Sequence, residues 1–122
     1  VKFINSFGRD VIITDHHEAP DVVPEAYAII NPKAMNALDE QLSAHQIESL
    51  TSLAGVGVAF KLAQAVLEKY DKLAFSYDIL PFVAVGTIAD LVPLIGQIAT
   101  QAVIRYIPLL NLLFKHELII LR

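Results

Sequence analysis

The chain has 122 residues, 55% of them hydrophobic, with a mean hydropathy of +0.54, which is ample for one packed domain and excludes a disordered chain. Its formal net charge of −4 argues against broad affinity for nucleic acid from this segment alone, since such binding needs an excess of lysine and arginine; a local basic groove, or one on another domain, stays open. The absence of cysteine excludes disulfides and thiolate metal sites here and is compatible with a cytoplasmic protein.

No secretory pattern opens the chain, because Val1 to Asn5 leads into a polar turn. Phe3, Ile4 and Phe7 are at helical spacing and Gly8 follows, which predicts the last turns of a helix closed by glycine. Residues 10–14 then predict a short strand, apolar on both faces as in a parallel sheet covered by helices. Glu18, Ala19, Pro20 and Asp21 break it, and 26–30 before Asn31 and Pro32 predicts a second buried strand. Residues 33–43 are polar without a strong period.

From about Ser52 a helix is expected, with Val56, Phe60, Ala63, Leu67 and Tyr70 on one face and Lys61, Gln64, Glu68 and Lys69 largely on another. Gly55 and Gly57 near its start predict close backbone packing or a delayed start. Residues 77–91 predict a buried helix stopped by Pro93, 97–113 a further helix broken near Pro108, and 117–121 either a strand or a frayed helical end. The longest uncharged stretches, 79–89 and 91–104, fall short of the roughly 18 to 20 residues of a spanning helix. They are expected in a core or an interface, and no membrane partner is expected. Two strands joined by helical material give an α/β layer fold with a short parallel sheet flanked by helices, incomplete within this chain.

Ligands of open α/β sheets bind beyond the carboxyl ends of the strands, where Asp15, His16 and His17 are expected. Imidazole nitrogen beside carboxylate oxygen suits Mn²⁺ or Zn²⁺, whereas magnesium sites are more often all oxygen. Adjacent strand residues face opposite ways, but a turn at the strand end could bring both rings to one cleft. Asp90, a lone acid in an apolar run, is expected to be a buried carboxylate needing a metal, a cation or several donors. Asn31 and Lys33 follow a strand end, where they either approach a bound phosphate or form a plain turn. His45 and His116 lie in polar surroundings and are expected at the surface.

The segments VIITDHHEAP, AYAIINPK, LAGVGVAFKLAQAVLEKY and LPFVAVGTIADLVPLIG resemble, in order and spacing, the DHH phosphoesterase domain of the RecJ-like single-stranded-DNA-specific exonucleases, over residues 8–96. DHH alone is shared with family II pyrophosphatases and with DHH enzymes acting on short oligonucleotides or cyclic dinucleotides; GVAFKLAQ with GTIADLVPL is more specific. The resemblance implies a two-metal hydrolase, using Mn²⁺ or Mg²⁺, that removes nucleotides from the 5′ end of single-stranded DNA in repair and recombination. It implies His16 and Asp90 as metal ligands, His17 as a catalytic residue that contacts the scissile phosphate or supports the site, and Asp15 as the acid orienting the site; Asn31, from its place after the second strand, is expected as a substrate contact.

The family's aspartate-rich DxDxDG motif and a further metal-binding aspartate are expected upstream of DHH, and this chain does not contain them. The chain is therefore expected to be a partial DHH domain, inactive alone, with uncovered apolar faces that favour self-association or domain swapping. Gly96-Gln97-Ile98-Ala99 stands where the family has a Gly-Glu-Asn-Arg-like stretch, so 97–122 is read as a C-terminal helical segment without an assigned role. The alternatives are another DHH phosphoesterase and a noncatalytic interaction module; intact Asp15, His16, His17 and Asp90 argue against the latter.

Overall fold

The computed structural model describes residues 1–34, 42–96 and 102–106. Helix α1 (Lys2–Asn5) is a single turn, and its Phe3 ring meets that of Phe7, in the turn that follows, edge to face at 5.1 Å. The turn after it closes at Gly8, whose φ of +64° explains the glycine. Strands β1 (Ile12–Thr14) and β2 (Ala28–Ile30) then pair in parallel, with Ile12 opposite Ala28, Ile13 opposite Ile29 and Thr14 opposite Ile30. Only the last three residues of each predicted run form strand.

The expectation that β1 is buried on both faces is not met. Ile13 is half-buried, whereas Ile12 is 55% exposed and Thr14 is also exposed. Helix α3 packs against β1, but the described sheet has two strands, too few to be enclosed.

Helix α2 (Ala44–Thr51) was not expected from its weak apolar period. It starts at a reciprocal cap, in which the Ser43 hydroxyl accepts from the Gln46 amide while the Gln46 side chain accepts from the Ser43 amide. Helix α3 (Gly55–Lys69) begins three residues later than predicted, and its axis is bent 109° from that of α2. Its buried residues are Gly57, Val58 and Phe60, and Tyr70 is a 65% exposed cap rather than part of the inner face.

A 3₁₀ turn at Leu73–Phe75 leads into α4 (Ser76–Ala89). That helix ends before Pro93 because Leu91 takes a left-handed φ of +54° just past the cap. Residues 102–106 are helical; the rest of the predicted 97–113 helix, the 117–121 segment and His116 lie outside the described residues. No single helix among the described residues is long and apolar enough to cross a membrane.

The core joins α3, α4 and the 102–106 turn through Phe60, Leu80, Val83, Ala84 and Ala102, with Val56, Ile88 and Tyr106 against it. At Gly86 the two long helices nearly touch, since a Cβ there would stand 2.8 Å from Val56 Cγ1. The start of α3 thus lies beside the end of α4.

Pro81 sits inside α4 and has no N–H to offer the carbonyl four residues back, that of Tyr77. The Tyr106 hydroxyl donates to that carbonyl at 3.3 Å, and Arg105 lies 6.0 Å over the Tyr77 ring. The proline therefore creates the acceptor that docks 102–106. Tyr106→Phe is expected to cost about 0.5 to 1 kcal/mol in the wild-type background and close to nothing with Pro81→Ala, where the restored amide reclaims the carbonyl. Thermal unfolding of the four variants as a double-mutant cycle measures this coupling.

Candidate active site at the end of the first strand

Pairing continues one residue past β1, where the Asp15 amide donates to Ile30 O at 3.1 Å, and then the chain turns around the Asp15 carboxylate. One oxygen, Oδ1, accepts from the His16 amide at 2.8 Å, the His17 amide at 3.3 Å and His17 Nδ1 at 2.8 Å. The His17 ring bond, followed by the His16 amide, holds the Asp15 carboxyl below the usual aspartate range. An ionised carboxylate only accepts, so His17 Nδ1 carries a hydrogen and donates it in this contact, which leaves Nε2 outside the bond.

The turn leaves the two imidazoles in contact, with centroids 4.3 Å apart and planes tilted by 51°, but gives them different surroundings. The His17 side chain is 77% exposed and that of His16 only 17%. His16 points inward because space has been left for it: the Cα of Gly55, at the start of α3, carries no Cβ, and one there would meet His16 Cδ2 at 3.3 Å. Sequence reasoning foresaw close packing at Gly55 without identifying the imidazole as the neighbour.

Asp90 reaches the same place from the end of α4, with Oδ2 3.3 Å from His16 Nε2. It caps the helix, and its side chain is 40% exposed, so the expectation of a buried carboxylate is corrected. An apolar run predicts burial of a helix, but the residue that caps its end projects from it.

Asn31, expected as a substrate contact, is 4% exposed. Its amide donates to His17 O at 2.9 Å and its oxygen accepts from the Lys33 amide at 2.9 Å. In this geometry it braces the Asp15–His17 turn against the loop after β2. His45 lies on α2 with its side chain 76% exposed, as a surface histidine would.

His16 separates two open clefts. The larger, about 620 Å³, is lined by His16, Glu18, Lys33, Thr51, Ser52 and Pro93 among others. The smaller, about 340 Å³, lies over Gly55, Gly86, Ala89 and Asp90.

Residues 1–87 match the DHH family, N-terminal domain. The chain belongs to that family. It is 43% identical over 93 residues to the single-stranded-DNA-specific exonuclease RecJ of Bacillus subtilis (strain 168), 43% over 102 residues to that of Haemophilus influenzae, and 39% over 104 residues to that of Escherichia coli (strain K12). These alignments cover 76%, 77% and 77% of this chain but only 10%, 16% and 16% of the relatives. The chain thus spans a small part of their length. No solved structure matches it.

His16 on the DHH turn and Asp90 at the end of α4 together offer a divalent metal one imidazole nitrogen and one carboxylate oxygen, a mixed set that Mn²⁺ accepts. Two such donors about 2.1 Å from one ion stand roughly 3 to 3.4 Å apart, and His16 Nε2 and Asp90 Oδ2 already have that separation. No group of three His, Cys, Asp or Glu able to hold a metal occurs among the described residues. The pair fits part of a metal site, and Asp15 is committed to His17.

Two outcomes follow from this geometry. The lowered Asp15 pKa means that its bonds contribute stability above the unfolded-state value and that this contribution is lost as pH falls through the folded-state value. His17→Ala removes the largest cause, so the carboxyl ¹³C titration of Asp15 by NMR is expected to move back up. Gly55→Ala is expected to leave the unfolding temperature unchanged or slightly raised, since alanine favours helix, while displacing the His16 ring. The ¹⁵N resonances of His16 then shift, and those of His45 do not.

Proposed function

We propose that this chain is part of a metal-dependent phosphodiesterase that degrades single-stranded DNA from the 5′ end, in the cytoplasm, during DNA repair and recombination. The observation that carries the reading is the meeting of His16 and Asp90 at 3.3 Å beyond the carboxyl end of a parallel strand, in a chain whose DHH-family relatives include single-stranded-DNA-specific exonucleases. The fold brings a nitrogen and an oxygen donor from distant parts of the sequence to one point.

In this reading His16 and Asp90 are metal ligands, and the remaining ligands come from outside the described residues. Bound Mn²⁺ or Mg²⁺ supplies Lewis acidity and neutralises charge on the phosphate oxygens. His17 presents its exposed Nε2 to the scissile phosphate. Asp15 fixes the tautomer and direction of that ring, and Asn31 fixes the backbone carrying it. The 122-residue chain alone is expected to be inactive, because the two donors brought together among its described residues do not hold a catalytic metal pair. Exposed Ile12, Tyr27, Phe82 and Leu91, at 55%, 75%, 72% and 85%, support self-association of the isolated chain.

The test is Mn²⁺-dependent degradation of 5′-labelled single-stranded DNA by the full-length protein, its His16→Ala and Asp90→Ala variants, and the 122-residue chain. The full-length protein is expected to be active, each variant to lose roughly 100-fold or more, and the chain to show no activity. A full-length protein inactive on DNA but able to hydrolyse dinucleotides makes this a different DHH phosphoesterase. Inactivity on both makes it a binding module.

A further inference from the structure

Lys33 is the only lysine or arginine among the described residues lining the 620 Å³ cleft, and the reading above gives it no task. It follows the carboxyl end of β2 as Glu18 and the two histidines follow that of β1, so both loops open on the ligand side of the sheet. Its backbone is anchored, since the Lys33 amide donates to the oxygen of buried Asn31 at 2.9 Å, and the same asparagine holds His17 O. The Lys33 backbone is thus tied through one side chain to that of His17, the residue assigned above to the scissile phosphate.

The partner of Lys33 differs in kind. Glu18 Oε1 lies 3.3 Å from Lys33 Nζ, yet the Glu18 side chain is 85% exposed while that of Lys33 is 31% exposed. So exposed a carboxylate forms a weak ion pair, limited by water and by the freedom of its side chain. It presents to the ammonium what a phosphate presents: anionic oxygen that accepts a charge-assisted hydrogen bond.

We propose that Lys33 forms a second phosphate subsite, taking a phosphate group of single-stranded DNA other than the scissile one, and that Glu18 occupies it until the nucleic acid displaces the carboxylate. The inference rests on the single-stranded-DNA reading above. The subsite adds affinity and sets how the strand lies across His16; Glu18 competes with the strand and lowers that affinity. Substitutions at the two ends of one ion pair therefore have opposite effects.

The experiment measures the dissociation constant of the full-length protein for a single-stranded oligonucleotide in EDTA, which prevents turnover. Lys33→Gln is expected to weaken binding about 5-fold and to reduce the slope of log affinity against log salt by about 0.7, the loss of one phosphate contact. Glu18→Gln is expected to tighten binding about 2- to 5-fold, an order-of-magnitude expectation for removing one competing charge. The double variant is expected to match Lys33→Gln, and Lys33→Arg to retain wild-type affinity.

Oligonucleotides with one methylphosphonate at successive positions locate the contact, because the wild-type advantage over Lys33→Gln vanishes at one position only. A 5′-hydroxyl oligonucleotide distinguishes an internal phosphate from the 5′-terminal one. Unchanged affinity in Lys33→Gln, or weaker binding in Glu18→Gln, overturns the subsite while leaving the exonuclease reading in place. A wild-type protein that binds no single-stranded DNA, either in EDTA or with Mn²⁺ present, overturns both.

Discussion

The close approach of α3 and α4 at Gly86 is the constraint on which the site depends. With a Cβ only 2.8 Å from Val56 Cγ1, any larger residue at Gly86 would push the helices apart or drive Val56 aside. Gly86 lies one turn before Asp90, and Val56 is next to Gly55. A displacement at this contact therefore moves the carboxylate relative to the imidazole. The two donors are joined by no shared loop; the packing of an apolar helix pair sets their distance. That packing is dense and changes little by continuous deformation, which suits it to holding two groups 3.3 Å apart.

The DHH turn solves a different problem. A strand would point two adjacent histidines to opposite faces, and a free loop would leave both rings mobile. Here one oxygen of Asp15 collects two backbone amides and one imidazole. The acid thereby orders the backbone and selects the tautomer of His17 at once. The His16 ring makes no such bond to Asp15 and is positioned chiefly by shape, in the space that Gly55 leaves, with Asp90 Oδ2 3.3 Å from its Nε2. One imidazole is oriented by hydrogen bonding and its neighbour by packing.

The parallel β1–β2 unit, the two long helices and the placement of DHH at a strand end were legible in the sequence because each rests on local pattern: β-branched runs, a 3.6-residue apolar period, and turn residues after the strands. Helix α2 was not, since its apolar period is weak; the signal was the Ser43-to-Gln46 spacing, a cap and not a stripe. Asp90 was read as buried because hydropathy averages over neighbours, while exposure at a helix end depends on which way one residue projects. The brace formed by Asn31 was illegible for a deeper reason. Its two partners, His17 O and the Lys33 amide, are backbone groups, which leave no mark on residue type.

Electrostatics connect these local solutions. Asp15, Glu18 and Asp90 put three carboxylates around the His16–His17 turn, against which the larger cleft sets one lysine. A phosphodiester approaching this surface meets net repulsion, and the chain as a whole, at −4, does not offset it. Binding of a polyanion there needs cations placed between the carboxylates and the phosphates. In the proposed function, a divalent ion shared by His16 and Asp90 would meet that need at the scissile bond, and it would also give a reason for an acid left 40% exposed at the end of an otherwise apolar helix. Lys33 meets it further along the cleft, where Glu18 now occupies the position an anion would take.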